Sequence, residues 1–204
     1  MRLQNRPIEP TSLAIKVLLV DDDPDRAAEL RAALQAIGYR VVSQLASSID
    51  LYVAMHTCKP DVVIVGADSP SRDALEHIAL VSRDAPKPIV MFATDARSAT
   101  IREAVRAGVS AYVVDGLAPE RLQPILTVAV ERFAAMQQLR DELAETRTAL
   151  KARKLIERAK GMLMKQRDVD EEAAYRLLRK FAMDQGVNMQ VAAERTLVIL
   201  KASA

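Results

Sequence analysis

The first 130 residues alternate between short apolar runs and stretches with helical spacing of apolar positions. Residues 15–20 and 61–65 are nearly continuous apolar runs, as is typical of strands buried on both faces. Residues 25–37 have apolar positions at helical spacing and stop at Gly38, a common residue just after a helix. The pattern predicts strands at 15–20, 39–42, 61–65, 88–92 and 111–114, with helices at 25–37, 49–57, 74–82 and 98–107.

Strands that alternate with helices favour a parallel sheet with right-handed crossovers. We therefore predict an α/β domain with a five-stranded, doubly wound parallel sheet over residues 15–130. Residues 1–14, which lack the apolar centre of a secretion signal, are expected to form a disordered leader.

Residues 119–166 predict one long helix that begins at the end of the α/β domain. Pro119 suits a first helical position, and residues 125–160 contain no glycine or proline. Apolar residues follow the three-four spacing of a coiled coil, although polar residues interrupt it at 146 and 153. A solvated connector is one interpretation of this helix, and a connector that also dimerises is the one we favour. The apolar seam consists of Met136, Leu139, Leu143 and Leu150.

Residues 150–204 predict a small all-α module of three helices. The segment from 151 to 204 has 12 Lys and Arg against 7 Asp and Glu, whereas residues 1–150 have 17 against 20. A basic module behind a mildly acidic domain favours an anionic partner, and nucleic acid is the first candidate.

Composition excludes several other classes of protein. No run of about 18 apolar residues predicts a membrane span. The single cysteine, Cys58, rules out an intrachain disulfide and fits a cytoplasmic protein. The sequence contains neither a recognisable nucleophile–base pair nor a glycine-rich phosphate loop, which are features typical of enzymes. We therefore predict no catalytic residues.

Acidic residues follow several of the predicted strands, where the sites of such folds lie. Asp21 and Asp22 follow the first strand, Asp68 the third and Asp115 the fifth. These side chains form a candidate acidic pocket and weak candidate ligands, Asp21 and Asp22, for Mg²⁺. Alternatively, some of the acids cap helices, as we expect of Asp23 before Pro24.

This arrangement resembles the receiver domain of two-component response regulators. Asp21 and Asp22 match the acidic pair that helps to bind Mg²⁺ in that family, and Tyr112 matches its switch aromatic. The phosphoacceptor aspartate is replaced by Gly66, which has no carboxylate to phosphorylate. The family lysine after the fifth strand is replaced by Asp115, and Thr94 stands one residue beyond the switch hydroxyl position. The resemblance therefore implies a pseudo-receiver that needs no cofactor, with switch positions at Thr94, Tyr112 and Asp115.

The C-terminal module resembles the ANTAR domain of RNA-binding transcription antiterminators. The resemblance rests on LIERAKGMLM at 155–164, EAAY at 172–175 and LLR at 177–179. It implies binding to paired hairpins in nascent leader RNA, by a homodimer when active. The candidate RNA contacts are Arg158, Lys160, Lys165, Tyr175, Arg176, Arg179 and Lys180.

The loop at 68–73 and the segment at 114–117 most resemble nitrate- and nitrite-responsive antiterminators. A ligand-sensing partner protein controls those regulators, so partner binding rather than phosphorylation is the expected control here. A phosphorylation-independent adaptor that binds proteins through its C-terminal helices is the alternative, and a DNA-binding regulator is a third reading.

Overall fold

A computed structural model describes residues 14–114 and 119–202 of the chain. Residues 1–13 of the predicted leader at 1–14 and the switch candidate Asp115 lie outside the described residues. The strands are β1 (Lys16–Asp21), β2 (Arg40–Leu45), β3 (Val62–Ala67), β4 (Ile89–Ala93) and β5 (Ala111–Val114). The helices are α1 (Pro24–Ala36), α2 (Leu51–Cys58), α3 (Arg72–Asp84), α4 (Ser98–Ala107), α5 (Pro119–Arg167), α6 (Glu171–Asp184) and α7 (Met189–Ala202), with a 3-10 turn at Ser48–Asp50.

The predicted fold class is confirmed. The five strands form one parallel sheet in the order β2-β1-β3-β4-β5. The chain divides into two compact units, with the boundary between Met136 and Gln137.

Both faces of the sheet are buried under helices, which explains the continuous apolar runs of its central strands. One face packs its side chains, such as Leu18 and Met91, against α2, α3 and α4. The other face packs residues such as Ile64 against α1 and against Leu122 and Leu126 at the start of α5. The carboxyl ends of β1 and β3 therefore meet at the point where the strand order reverses, the usual place for a site in this architecture.

The helix ends follow the local chemistry that the sequence predicts. Asp23 caps α1 by accepting hydrogen bonds from the backbone N–H of Asp25 and Arg26, and Pro24 is the first helical residue. Asn188 caps α7 in the same way through the N–H of Val191.

The second unit has its own aliphatic core. Ala159 and Leu163 of α5 pack with Ala174 and Leu178 of α6 and with Ala192 of α7. The alanines let the three helices approach closely, and the leucines fill the space between them.

The middle of α5 carries an exposed apolar seam. Met136, Leu139, Leu143 and Leu150 are 49–60% exposed although they share one face of the helix. Among the described residues, no helix is long and apolar enough to span a membrane.

Candidate receiver pocket and nucleic-acid interface

The centre of the receiver pocket is a register pair on neighbouring strands. Asp21, the last residue of β1, lies opposite Gly66 of β3. The Asp21 side chain is fully buried. A Cβ atom placed on Gly66 would lie only 2.6 Å from Asp21 Cγ, so the carboxylate of Asp21 occupies the space that a side chain at 66 would need.

Arg26, in the first turns of α1, neutralises this carboxylate. Its Nη2 lies 2.8 Å from Asp21 Oδ1, and its Nε lies 3.0 Å from Asp21 Oδ2. The same guanidinium donates to Asp22 at 3.0 Å and to Asp68 at 2.6 Å. The hydrogen bond to Asp21 is the largest cause that raises the pKa of Arg26 above its ordinary value, so the guanidinium stays charged. The three acids of the predicted pocket thus converge on one cation.

This geometry does not fit a bound Mg²⁺ ion. Mg²⁺ needs carboxylate and water oxygens in near-octahedral positions at about 2.0–2.1 Å. Both oxygens of Asp21 already accept hydrogen bonds from Arg26, and Asp21 Oδ1 also accepts one from the N–H of Asp23. No cluster of three or more His, Cys, Asp or Glu suited to a metal occurs in the part of the chain that the structure describes.

The loop after β3 is tied to the loop after β4. The carbonyl of Asp68 accepts the N–H groups of Thr94 and Asp95 at 3.1 and 3.0 Å. The hydroxyl of Thr94, a predicted switch position, donates to the same carbonyl at 2.9 Å. Ser69 Oγ donates to the Asp95 carboxylate at 2.9 Å. The Thr94 hydroxyl is therefore engaged with backbone.

Tyr112, the other described switch position, continues this network to β5. Its hydroxyl donates to the carbonyl of Asp95 at 2.8 Å, and burial raises its pKa. The Asp95 carboxylate is itself 6% exposed and accepts from Arg97 at 2.6 Å and from Thr100 at 2.9 Å. The hydrogen bonds from Arg97 hold the pKa of Asp95 well below its usual range.

In the second unit, α5 presents a row of exposed lysine and arginine side chains. At about 100° per residue, the side chains at 151, 154, 158 and 165 fall on one flank of the helix. No ion pair or hydrogen bond occupies these four groups in the described part of the chain. The group, which we name the α5 basic flank, is Lys151, Lys154, Arg158 and Lys165.

Lys160 occupies a different position from the other RNA candidates. It is only 8% exposed, and its ammonium lies 2.7 Å from Glu171 and 3.0 Å from Glu157. These hydrogen bonds, chiefly the one with Glu171, raise the pKa of Lys160. The structure places Lys160 in a link between α5 and α6, which argues against the predicted RNA contact.

Helix α6 carries the remaining candidates on its outside. Arg179 and Lys180 are exposed, and Tyr175 is 44% exposed. Arg176 is exposed and pairs at 2.6 Å with Glu172, one turn earlier. An exposed pair of this kind contributes little to stability, so Arg176 can still turn to another anion.

Sequence reasoning missed Arg26 as a pocket residue. Arg26 lies five positions after Asp21 and four after Asp22, so the spacing for local pairing was present. Its contact with Asp68 depends on the β1–β3 register, which a local pattern does not reveal.

Two domain families match this chain. The response regulator receiver domain matches residues 17–127, which is more than half of the chain, and the ANTAR domain matches residues 144–197. The chain therefore belongs to the response regulator receiver family, and it carries an ANTAR domain after the receiver domain. Both families are regulatory.

Curated relatives agree with this class of protein. The chain is 29% identical over 185 residues to the transcriptional regulatory protein PdtaR of Mycobacterium tuberculosis, covering 91% of this chain and 90% of that protein. It is 39% identical over 88 residues to the nitrate regulatory protein of Klebsiella oxytoca, covering 43% of this chain and 22% of that protein.

Solved structures share the fold of part of this chain. The signal receiver domain of a modulated diguanylate cyclase from Desulfovibrio desulfuricans has a TM-score of 0.54 at 22% identity and covers 60% of this chain and 98% of its own. A LuxR-family response regulator from Aurantimonas has a TM-score of 0.52 at 25% identity, with 66% and 99% covered.

Proposed function

We propose that this protein is a cytoplasmic, RNA-binding transcription antiterminator. Its ANTAR domain binds paired hairpins in nascent leader RNA and so prevents a terminator from forming. The observation that carries the proposal is the match to the ANTAR domain at residues 144–197. The α5 basic flank of this unit is exposed and forms no ion pair with the acids that the structure describes.

The α5 basic flank extends the RNA surface beyond the residues that the sequence predicted. Lys151 and Lys154 join Arg158 and Lys165 on the flank, and the four span about 21 Å at 1.5 Å per residue. A row of cations of this length suits the phosphates of a folded RNA, which attract lysine and arginine without regard to sequence. Gly161 falls on the same flank, and nothing lies within 4 Å of where its Cβ would be. RNA backbone can therefore approach this part of α5 closely.

On α6, Tyr175 and the cations offer a second set of contacts. An exposed tyrosine can stack on an unpaired base of a hairpin loop, and arginine can bind phosphates or base edges. We assign base stacking to Tyr175 and anion contacts to Arg176, Arg179 and Lys180, and we leave Lys160 out of the interface.

The active form in this proposal is a homodimer that joins along the exposed seam of α5. Burying four half-exposed apolar side chains against a second copy is favourable, although Thr146 and Arg153 weaken the repeat. Two ANTAR domains on one dimer would bind two hairpins of one RNA with increased effective concentration.

Control of this protein is proposed to come from a binding partner. Gly66 supplies no phosphoacceptor carboxylate, and Arg26 fills the neighbouring acidic pocket. A ligand-sensing protein that sequesters the regulator would supply the signal. The similarity to the nitrate regulatory protein of Klebsiella oxytoca supports genes of nitrate and nitrite assimilation as the target.

The test of RNA binding uses the full chain and a leader RNA with two hairpins. We expect affinity to fall as salt rises, and to fall strongly when Arg176, Arg179 and Lys180 are changed to alanine. A matched control changes three exposed arginines of the first unit, Arg40, Arg102 and Arg106, to alanine and should keep the affinity of the wild type. Equal affinity of the wild type for an unrelated duplex DNA would contradict the proposal and favour a DNA-binding regulator.

The receiver is tested with acetyl phosphate and Mg²⁺. We expect no acyl phosphate on the wild-type chain, and strong labelling would show that Asp68 or another acid accepts phosphate. The alternative function, a protein-binding adaptor, is favoured if the C-terminal helices bind no leader RNA under any salt condition.

A further inference from the structure

The three acids at the end of β1 and after β3 are bridged by one side chain. Arg26 uses its Nε and Nη2 on Asp21, its Nη2 on Asp22 and its Nη1 on Asp68. The Arg26 side chain is 24% exposed, whereas that of Asp21 is fully buried. A buried carboxylate is costly unless a cation and hydrogen bonds compensate it, and Arg26 supplies both.

Gly66 makes this arrangement sterically possible. A Cβ at position 66 would lie 2.6 Å from Asp21 Cγ and 3.2 Å from Arg26 Nε. Asp21 has little freedom to move aside, because its oxygens are held by Arg26 and by the N–H of Asp23. The Arg26–Asp21 pair in this geometry therefore depends on the absence of a side chain at 66.

We propose that Arg26 is the resident cation of this receiver pocket and stands in place of a divalent metal ion. The guanidinium brings positive charge to the carboxylates that would otherwise attract Mg²⁺, and it occupies the oxygens that a metal would need. Because it is covalently part of α1, the charge is present in every state of the protein. The proposal deepens the partner-controlled regulation described above, and it also stands without the RNA assignment.

The bridge has a consequence for the neighbouring loops. Arg26 holds Asp68, whose carbonyl accepts the Thr94 hydroxyl and the N–H of Asp95. The carbonyl of Asp95 in turn accepts the Tyr112 hydroxyl. Arg26 therefore fixes one end of a polar network that runs from α1 to β5 and needs neither metal nor phosphate.

The test measures Mn²⁺ binding to the full chain by the loss of the free-ion electron paramagnetic resonance signal. The wild type should show no specific site at millimolar Mn²⁺. Arg26→Gln should gain one specific site, with a dissociation constant at least about tenfold below the highest Mn²⁺ concentration at which the wild type shows none, because three acids lose their cation. Adding Asp21→Asn to Arg26→Gln should abolish the gain.

Arg31→Gln is the matched control, since it removes the same charge from the same helix away from the pocket. Arg31 donates to Gln44, outside the pocket. The Arg31→Gln variant should therefore show no specific Mn²⁺ site, like the wild type. Arg26→Lys keeps a cation in the pocket and should remain without metal. If Arg26→Gln does not fold by itself, Mn²⁺ should restore its fold, and failure of Mn²⁺ to do so would also contradict the proposal. A specific Mn²⁺ site in the wild type, or a folded Arg26→Gln chain without one, would overturn the proposal. RNA affinity is not part of the readout, so its failure and that of the proposed function are distinguishable.

Discussion

Asp21 and Gly66 lie opposite each other on β1 and β3, and the Asp21 carboxylate fills the space in which a side chain at 66 would stand. In a phosphorylatable receiver, position 66 would carry the phosphoacceptor. Here Arg26 donates hydrogen bonds to both carboxylate oxygens of Asp21, so a side chain of the protein itself neutralises the buried charge in the pocket.

The Asp21–Gly66 relationship predicts that even a methyl group at position 66 is costly. Gly66→Ala forces the Asp21 carboxylate or Arg26 to move, and overpacking of this kind typically costs about 1–3 kcal/mol. We expect that loss of unfolding free energy in urea denaturation of the full chain. Gly186→Ala is a poor control because Gly186 has a positive φ, so Gly161→Ala in an open site serves instead. A Gly66→Ala chain as stable as the wild type would show that the pocket is looser than described.

Gly161→Ala should separate stability from RNA binding. Glycine inside a helix costs about 0.5–1 kcal/mol relative to alanine, and a Cβ at 161 meets nothing. The variant should therefore unfold at higher denaturant concentration than the wild type. If RNA backbone lies against the α5 basic flank, the affinity of the Gly161→Ala variant for the leader RNA should nevertheless fall, because the added methyl group stands in the way. Unchanged RNA affinity would move the interface away from this flank.

Lys160 and Arg179 should respond oppositely to mutation. Lys160→Ala removes a part-buried link with Glu171 and should lower the melting temperature of the chain, while the RNA affinity of the folded protein changes little. Arg179→Ala should leave the melting temperature near that of the wild type and weaken RNA binding. Thermal unfolding and fluorescence anisotropy on both variants test this, and a reversal of the two patterns would contradict the assignment.

Acid should destabilise the receiver partly through Asp95. Its folded-state pKa lies below the unfolded value of about 3.9, so its stabilising contribution is present above that value and is lost as pH falls through the folded pKa. At neutral pH, the melting temperature of Asp95→Asn should lie below that of the wild type. The difference should narrow as pH falls below about 4. Melting curves that stay parallel between pH 7 and pH 2.5 would show that the pairing with Arg97 does not act in this way.

The sequence was sufficient for the order and type of the elements because buried parallel strands and amphipathic helices have distinct periods. β5 and α4 have the predicted bounds, whereas β2 extends to Leu45, past the predicted end at 42. The polar residues Ser43 and Gln44 hid that extension, since β2 lies at the edge of the sheet and its apolar signal is weaker.

The site was less accessible to sequence reasoning. The absence of a phosphoacceptor at Gly66 follows from residue type alone. The bridge from Arg26 to Asp68 and the link from Lys160 to Glu171 join residues on different elements, and a helical wheel gives only the direction of a side chain. Both contacts depend on packing that has to be seen in three dimensions.

The proposed dimer contact along the apolar seam of α5 is tested by placing lysines in the seam. Leu139→Lys and Leu143→Lys place like charges on the proposed dimer face and should give a monomer. Both side chains are about half exposed in the single chain, so the fold of each unit should survive. Light scattering of the variant and the wild type at equal concentration measures this, with Val105→Lys, at an exposed apolar position of α4, as the control.

The most direct measurement of the whole account is the mass of the complex between the full chain and a two-hairpin leader RNA. Size-exclusion chromatography with light scattering gives the number of chains per RNA. We predict a complex with two copies of the 22.4 kDa chain per RNA, and none when Arg176, Arg179 and Lys180 are alanine. A wild-type chain that forms no such complex, or that binds the RNA as a single copy, would contradict the account.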